Sequence, residues 1–83
     1  MKVLVEVLDQ RGRCQCGHRR GETWETIGKT PEGICIAAFS SLIPWIHILW
    51  DGHNPEWSED GLVKVSCPDP KNPVVFGLRM SPD

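Results

Sequence analysis

Hydrophobic and polar residues alternate along four short stretches of the chain, which is the pattern of half-buried β-strands. The first stretch is "KVLVEVL", in which the three valines share one face. The last is "VVFGLRM", in which alternate residues are also apolar. Two further stretches, "ETWETIG" and "LVKVSC", follow the same rule less regularly. The pattern therefore predicts strands at 2–8, 22–28, 62–67 and 74–80.

Between the second and third strands, the apolar spacing changes to that of a helix. "TPEG" predicts a helix start, with Thr30 as N-cap, Pro31 in the first turn and Glu32 at the positive end of the dipole. Two stripes then run along opposite sides of the predicted helix. The apolar stripe is Cys35, Phe39, Leu42, Ile46 and Leu49, and the polar stripe is Ser40, Pro44, His47 and Asp51.

The order of these elements is strand, strand, helix, strand, strand. It predicts an α+β fold, with a small antiparallel sheet covered on one face by the helical segment. Pro44 inside the helical segment predicts either a kink or a pair of helices. The apolar segment is too short for a membrane span and contains Pro and His. Its wide apolar surface instead predicts a homodimer through the helical face.

Composition narrows the class of protein. The chain has 83 residues, of which 40% are hydrophobic and 24% charged, and its net charge is −2. These values predict a single globular domain over 1–83 and argue against a nucleic-acid partner, which needs a basic face. No basic and apolar leader stands at the N-terminus, so we expect a cytoplasmic protein. Cysteines there serve more often as metal ligands, reactive thiols or core residues than as structural disulfides.

The cysteines stand at three places that the predicted fold can bring together. Cys14 and Cys16 lie in the first loop, Cys35 at the start of the helix and Cys67 at the end of the third strand. Structural zinc takes four sulfur or nitrogen ligands in a tetrahedron. We therefore predict zinc bound by Cys14, His18, Cys35 and Cys67. Cys16 is the alternative fourth ligand, although one residue between two ligands is a short spacing.

Two other interpretations stay open at the sequence level. A helix N-terminus lowers the pKa of a cysteine, so Cys35 can instead be a reactive thiol with Cys67 or Cys14 as its partner. Free cysteine also fills cores, which would leave an interaction module without chemistry. No catalytic residue is assigned, and neither a substrate nor a reaction follows from the sequence.

Several motifs, in order, carry a resemblance to a family. The motifs are "GHRRGETW", "TPEGIC", "LIPWIHILWDG", "PEW" and "SCPDPKNPVVFGLR". They resemble a family of small uncharacterised bacterial and archaeal proteins of about 80–100 residues, with a Pro-Glu-Gly-Ile-Cys helix start and a Cys-Pro-Asp turn. The resemblance implies that Cys14, Cys35 and Cys67 are the family cysteines and Cys16 an additional one. It also implies no role for His53, which stands where the family has glycine, and it brings no established activity.

Overall fold

The computed structural model describes residues 2–81, so residues 1, 82 and 83 of the predicted domain lie outside the described part. Four strands and one helix follow the predicted order. They are β1 (Lys2–Gln10), β2 (Thr23–Thr26), α1 (Ile36–Trp50), β3 (Val63–Ser66) and β4 (Val74–Ser81). The α+β prediction is confirmed.

The strands form one antiparallel sheet in the order β2-β1-β4-β3. Val5 of β1 lies opposite Trp24 of β2 and Leu78 of β4, and Leu78 also lies opposite Val63 of β3. Residues opposite each other in a sheet share a face, so this row of side chains points toward α1. A shift of register between Val7 and Asp9 interrupts the pairing of β1 with β4, which resumes at Asp9 and Gln10 before the first cysteine loop.

The core lies between this face of the sheet and α1. It consists of fully buried side chains from β1, β3, β4 and α1: Val3, Val5, Val7, Ala38, Leu42, Ile46, Leu49, Val63, Val74, Phe76 and Leu78. Burial of each large side chain contributes about 1.5–3 kcal/mol. The predicted polar stripe of α1 is exposed throughout, so the amphipathic pattern correctly identified both sides of the helix.

The predicted helix start at Thr30 is wrong, because α1 begins at Ile36. Gly33 has a φ of +91°, which lies in the left-handed region and cannot be part of a right-handed helix. Cys35 is extended, with φ −60° and ψ 134°, and stands at the N-cap position. Cys35, which the sequence placed one turn inside the helix, therefore lies at the N-terminal end of α1.

Pro44 lies inside a single continuous helix, so the alternative of two helices is wrong. Pro44 and Ser40 are both on the exposed side of α1. The carbonyl of Ser40, which receives no N–H from proline, can therefore accept a hydrogen bond from water.

Exposed apolar side chains on α1 bear on the expected partners. Ile36 is 87% exposed and Ile43 is 39% exposed. Apolar exposure of this kind is compatible with a second subunit, and the homodimer stays a prediction. Within residues 2–81, the structure contains no helix with the length and apolar character needed to cross a bilayer.

Candidate functional site

A tight turn holds the first two cysteines. The carbonyl of Cys14 accepts a hydrogen bond from the backbone N–H of Gly17 at 3.0 Å, and Gly17 has a φ of +77°. A residue with a side chain adopts such a φ only at a cost, so glycine closes this turn most easily. Cys14 and Cys16 are thereby presented from one short piece of backbone.

Asn72 fastens this loop to the turn between β3 and β4. Its side-chain oxygen accepts the N–H of Arg13 at 2.8 Å, and a Cβ atom at Gly12 would collide with it. Asp69 orders the second turn by accepting the N–H groups of Lys71 and Asn72 at 3.0 and 3.2 Å. The Lys71 N–H, and then the Asn72 side chain, lower the pKa of the Asp69 carboxyl. Two loops far apart in sequence are therefore held together.

Cys67 follows β3 and is oriented by Val74, the first residue of β4. The backbone N–H of Cys67 donates to the Val74 carbonyl at 2.9 Å. In return, the Val74 N–H donates to the Cys67 sulfur at 3.3 Å. The Cys67 sulfur is thus fixed at the end of the sheet that faces the first loop.

Polar groups surround the Cys35 sulfur at the N-terminus of α1. No side-chain hydrogen bond of ordinary geometry caps α1, but the free N–H groups of Ala38 and Ala37 lie close to the Cys35 sulfur. The Ala38 N–H, the Cys16 thiol and then the Ala37 N–H lower the pKa of Cys35, which outweighs the opposing effect of burial. Cys35 therefore ionises more readily than an ordinary cysteine.

Cys16 is the neighbour in question, and its pKa shifts the other way. Its interaction with the Cys35 sulfur raises the pKa of the Cys16 thiol, and partial desolvation and the charges of Cys35 and Cys14 add to this effect. Cys16 is exposed and Cys35 is half-buried. The two thiols are therefore an asymmetric pair, in which Cys35 loses its proton at a lower pH than Cys16.

His18 supports the backbone of Cys35. It is buried, and its Nε2 accepts the Cys35 N–H at 3.0 Å. The neutral ring must then carry its proton on Nδ1, which lies 3.1 Å from a carboxylate oxygen of Glu22. The ring also packs edge-on against Trp24 and Phe76, with centroids 5.2 and 6.1 Å away. Both ring nitrogens are thus engaged, and metal binding by His18 would require it to release one of these partners.

All the cysteines border one cavity of about 140 Å³, whose remaining wall is largely apolar. The structure thus brings Cys14, Cys16, Cys35 and Cys67 together, and His18 lies at the same cavity. All four thiols are free. Within the described residues 2–81, no group of three or more Cys, His, Asp or Glu side chains is already arranged to hold a metal ion. The zinc ligand set therefore stays a prediction.

Sequence reasoning missed the pairing of Cys16 with Cys35 and the bracing role of Asn72. Gly17 directly after Cys16 was the available signal for a turn that presents both thiols. Asn72, three residues after Asp69, was the corresponding signal in the second loop.

No protein-family model, curated protein or solved structure matches this chain. The family resemblance inferred from the motifs is thus a prediction that these comparisons do not support, and function must be argued from the site itself.

Proposed function

We propose that the protein is a dithiol redox protein, with the Cys35 thiolate as nucleophile and Cys16 as the resolving thiol. The observation that carries this proposal is that Cys16 and Cys35 line one accessible cavity at the N-terminus of α1, where their interaction lowers the pKa of Cys35 and raises that of Cys16. A thiolate is the nucleophile in thiol–disulfide exchange, and a helix N-terminus favours it. The sequence interpretation named Cys67 or Cys14 as the partner, whereas the opposite pKa shifts of Cys35 and Cys16 favour Cys16.

The reaction follows from the asymmetry of the pair. The Cys35 thiolate attacks one sulfur of a disulfide R–S–S–R, which forms a mixed disulfide and releases one RS⁻ with the electron pair of the broken bond. Cys16 then loses its proton and attacks the Cys35 sulfur, which releases the second RS⁻. The dithiol is oxidised by two electrons to a Cys16–Cys35 disulfide, and the substrate disulfide is reduced to two thiols.

Exposure of the cysteines agrees with this proposal and bears on location. Cys16 is exposed, and a buried space-filling role does not account for it. Free thiols of this kind are kept reduced in the cytoplasm, which is where we place the protein.

Alkylation rates test the proposal directly. We expect iodoacetamide at neutral pH to modify Cys35 several-fold faster than any cysteine of the same chain in urea, because only the folded protein favours its thiolate. The pH midpoint of Cys35 alkylation should lie below the ordinary thiol value of 9.0 and rise in Cys16→Ser. Cys67→Ser is the matched control and should leave the midpoint unchanged. A Cys35 thiol that reacts no faster than in urea would contradict the proposal.

A second candidate function is zinc binding, favoured by the convergence of the cysteines on one cavity. Four thiolates can surround zinc, each about 2.3 Å from the metal, once the loops close around it. Because His18 is already engaged, we propose Cys14, Cys16, Cys35 and Cys67 as the ligands, with His18 in place of Cys16 as the alternative set. Zinc bound in this way would add to a small core, as structural zinc contributes about 10–16 kcal/mol in isolated zinc domains.

Elemental analysis separates the two candidates. Zinc binding predicts one zinc per chain after purification without chelator, lost in Cys16→Ser and retained in His18→Gln if the four-thiolate set is right. Folded, metal-free protein that takes up no zinc would overturn this candidate. If Cys35 is also unreactive, the remaining interpretation is an interaction module whose cysteines carry no chemistry.

A further inference from the structure

An open groove runs along the first loop beside the thiol pair, and its charge is positive. Cys14 and Cys16 form part of its wall, and Arg13 and Arg19 are its charged residues. Among the described residues that line it, none is Asp or Glu. The whole chain has a net charge of −2, so this groove departs in sign from the rest of the protein.

The four arginines of this region fall into two classes. Arg11 and Arg20 both pair with Asp9, at 3.5 and 3.0 Å. In the part of the chain that the structure describes, the guanidinium groups of Arg13 and Arg19 have no carboxylate partner. Arg13 and Arg19 are therefore available to bind a negatively charged ligand.

The backbone of both free arginines is nevertheless held in place. The N–H of Arg13 donates to Asn72, and the N–H of Arg19 donates to Glu22 at 2.9 Å. Asp69 lines the adjoining cavity together with the cysteines. Its hydrogen bonds from Lys71 and Asn72 keep this carboxylate charged, but it belongs to the wall of that cavity and not to the wall of the groove.

We propose that the substrate of the thiol pair is a small disulfide that carries carboxylate groups, which Arg13 and Arg19 bind. This inference rests on the proposed dithiol function and adds the class of substrate. Arginine suits the role because its planar guanidinium matches the two oxygens of a carboxylate. The apolar wall formed by Ala37, Ala38 and Val74 lies beside the sulfurs and would take the carbon atoms next to the disulfide.

The size of the cavity favours a small substrate. A volume of about 140 Å³ accommodates a few carbon atoms on one side of a disulfide, while the open groove takes the charged remainder. In the exchange, the S–S bond of the substrate breaks as Cys35 attacks it. The two anionic thiols leave, and the protein dithiol is oxidised by two electrons to the Cys16–Cys35 disulfide.

The test compares three disulfide reagents on the reduced full chain. Dithiobis(nitrobenzoate) carries two carboxylates, dithiodipyridine is neutral and cystamine carries two ammonium groups. Two double variants provide matched changes of charge: Arg13→Gln with Arg19→Gln in the groove, and Arg11→Gln with Arg20→Gln outside it. The readout is the second-order rate of reaction at Cys35, measured by thiol release and by mass spectrometry at low and high salt.

We expect the groove variant to react about tenfold more slowly with the dianionic reagent at low salt, since local positive charge raises association rates by this order. Its rate with the neutral reagent should not change, and its rate with cystamine should rise. The outer variant should change all three rates little, and high salt should reduce the differences.

Two results would overturn the proposal, and each points to a different failure. If the rate with the dianionic reagent falls by the same factor in both double variants, or falls in neither, the groove does not select anions. The dithiol function then still stands. If Cys35 of the unmodified protein reacts with none of the three reagents faster than the chain in urea, the dithiol function itself is wrong, and the substrate inference fails with it.

Discussion

The two ends of the domain are held together in different ways. The core between the sheet and α1 consists of many apolar side chains that share one task, and each contacts several others. The cysteine end consists of loops joined by a few hydrogen bonds, in which the Arg13 N–H donates to Asn72, the Cys35 N–H to His18 and the Val74 N–H to the Cys67 sulfur. Stability therefore resides in the sheet and helix, while the positions of the thiols depend on a few polar contacts.

The core should show the largest effect. Phe76 is fully buried and contacts the rings of His18 and Trp24. We expect Phe76→Ala to lower the free energy of unfolding by about 3–5 kcal/mol, because it removes a large side chain and leaves a cavity. Urea denaturation measures this loss. Ile36→Ala is the control on the exposed surface of α1, with a change of about 0.5 kcal/mol or less. If Phe76→Ala lowers the free energy of unfolding by less than Ile36→Ala does, the core is not the more stable end of the domain.

His18 joins the two ends, and its replacement should have an intermediate effect. His18→Leu keeps the apolar volume but leaves the Cys35 N–H without its acceptor in a buried place. We expect a loss of about 1–3 kcal/mol in the free energy of unfolding, together with a changed rate of Cys35 alkylation. His47→Leu, on the exposed side of α1, is the matched control and should change neither quantity. Equal behaviour of the two variants would remove His18 from the site.

Asn72 should affect the site more than the fold. Asn72→Ala removes the acceptor for the Arg13 N–H, a loss of about 0.5–1.5 kcal/mol in stability. The freed loop should also bring Cys16 to Cys35 less often, so the Cys16–Cys35 disulfide should be reduced more easily. Equilibration with dithiothreitol measures this change. Asn54→Ala in the exposed loop after α1 serves as control, and an unchanged disulfide equilibrium in Asn72→Ala would contradict the bracing role.

The smallest effect is a change in how the free energy of unfolding depends on acidic pH. Hydrogen bonds from Lys71 and Asn72 lower the pKa of Asp69 below the ordinary 3.8. A group with a lowered pKa in the folded state stabilises above its unfolded pKa, and this stabilisation is lost as the pH falls through the folded pKa. We expect the unmodified protein to lose stability from about pH 5 downward, and Asp69→Asn to give a flatter curve. Urea denaturation across this pH range measures the difference. The two curves should diverge only in acid, and parallel curves would show that Asp69 does not contribute.

The same comparison explains what the sequence could predict. Alternation records which side of a strand is buried, so the valines of β1 and the alternate residues of β4 were correctly placed. The spacing along α1 likewise identified its exposed and buried sides. These patterns are local and repeated, which is why they can be recognised without a structure.

The cysteine end depends on contacts that no local pattern contains. Thr30 and Pro31 carry good helix-start chemistry, but the left-handed Gly33 delays the helix until after Cys35. The first loop, which carries Cys16, is held by Asn72, more than fifty residues away. The sequence therefore predicted the convergence of the cysteines, but not which of them would be neighbours.

The strand order has a consequence for synthesis. β4 lies between β1 and β3, yet it is the last of the strands to leave the ribosome. Until it arrives, β1 pairs only with the short β2, and Cys67 lacks the Val74 N–H that orients it. All four cysteines therefore emerge before the sheet that assembles their site can form, and in a growing chain they must remain reduced until β4 arrives.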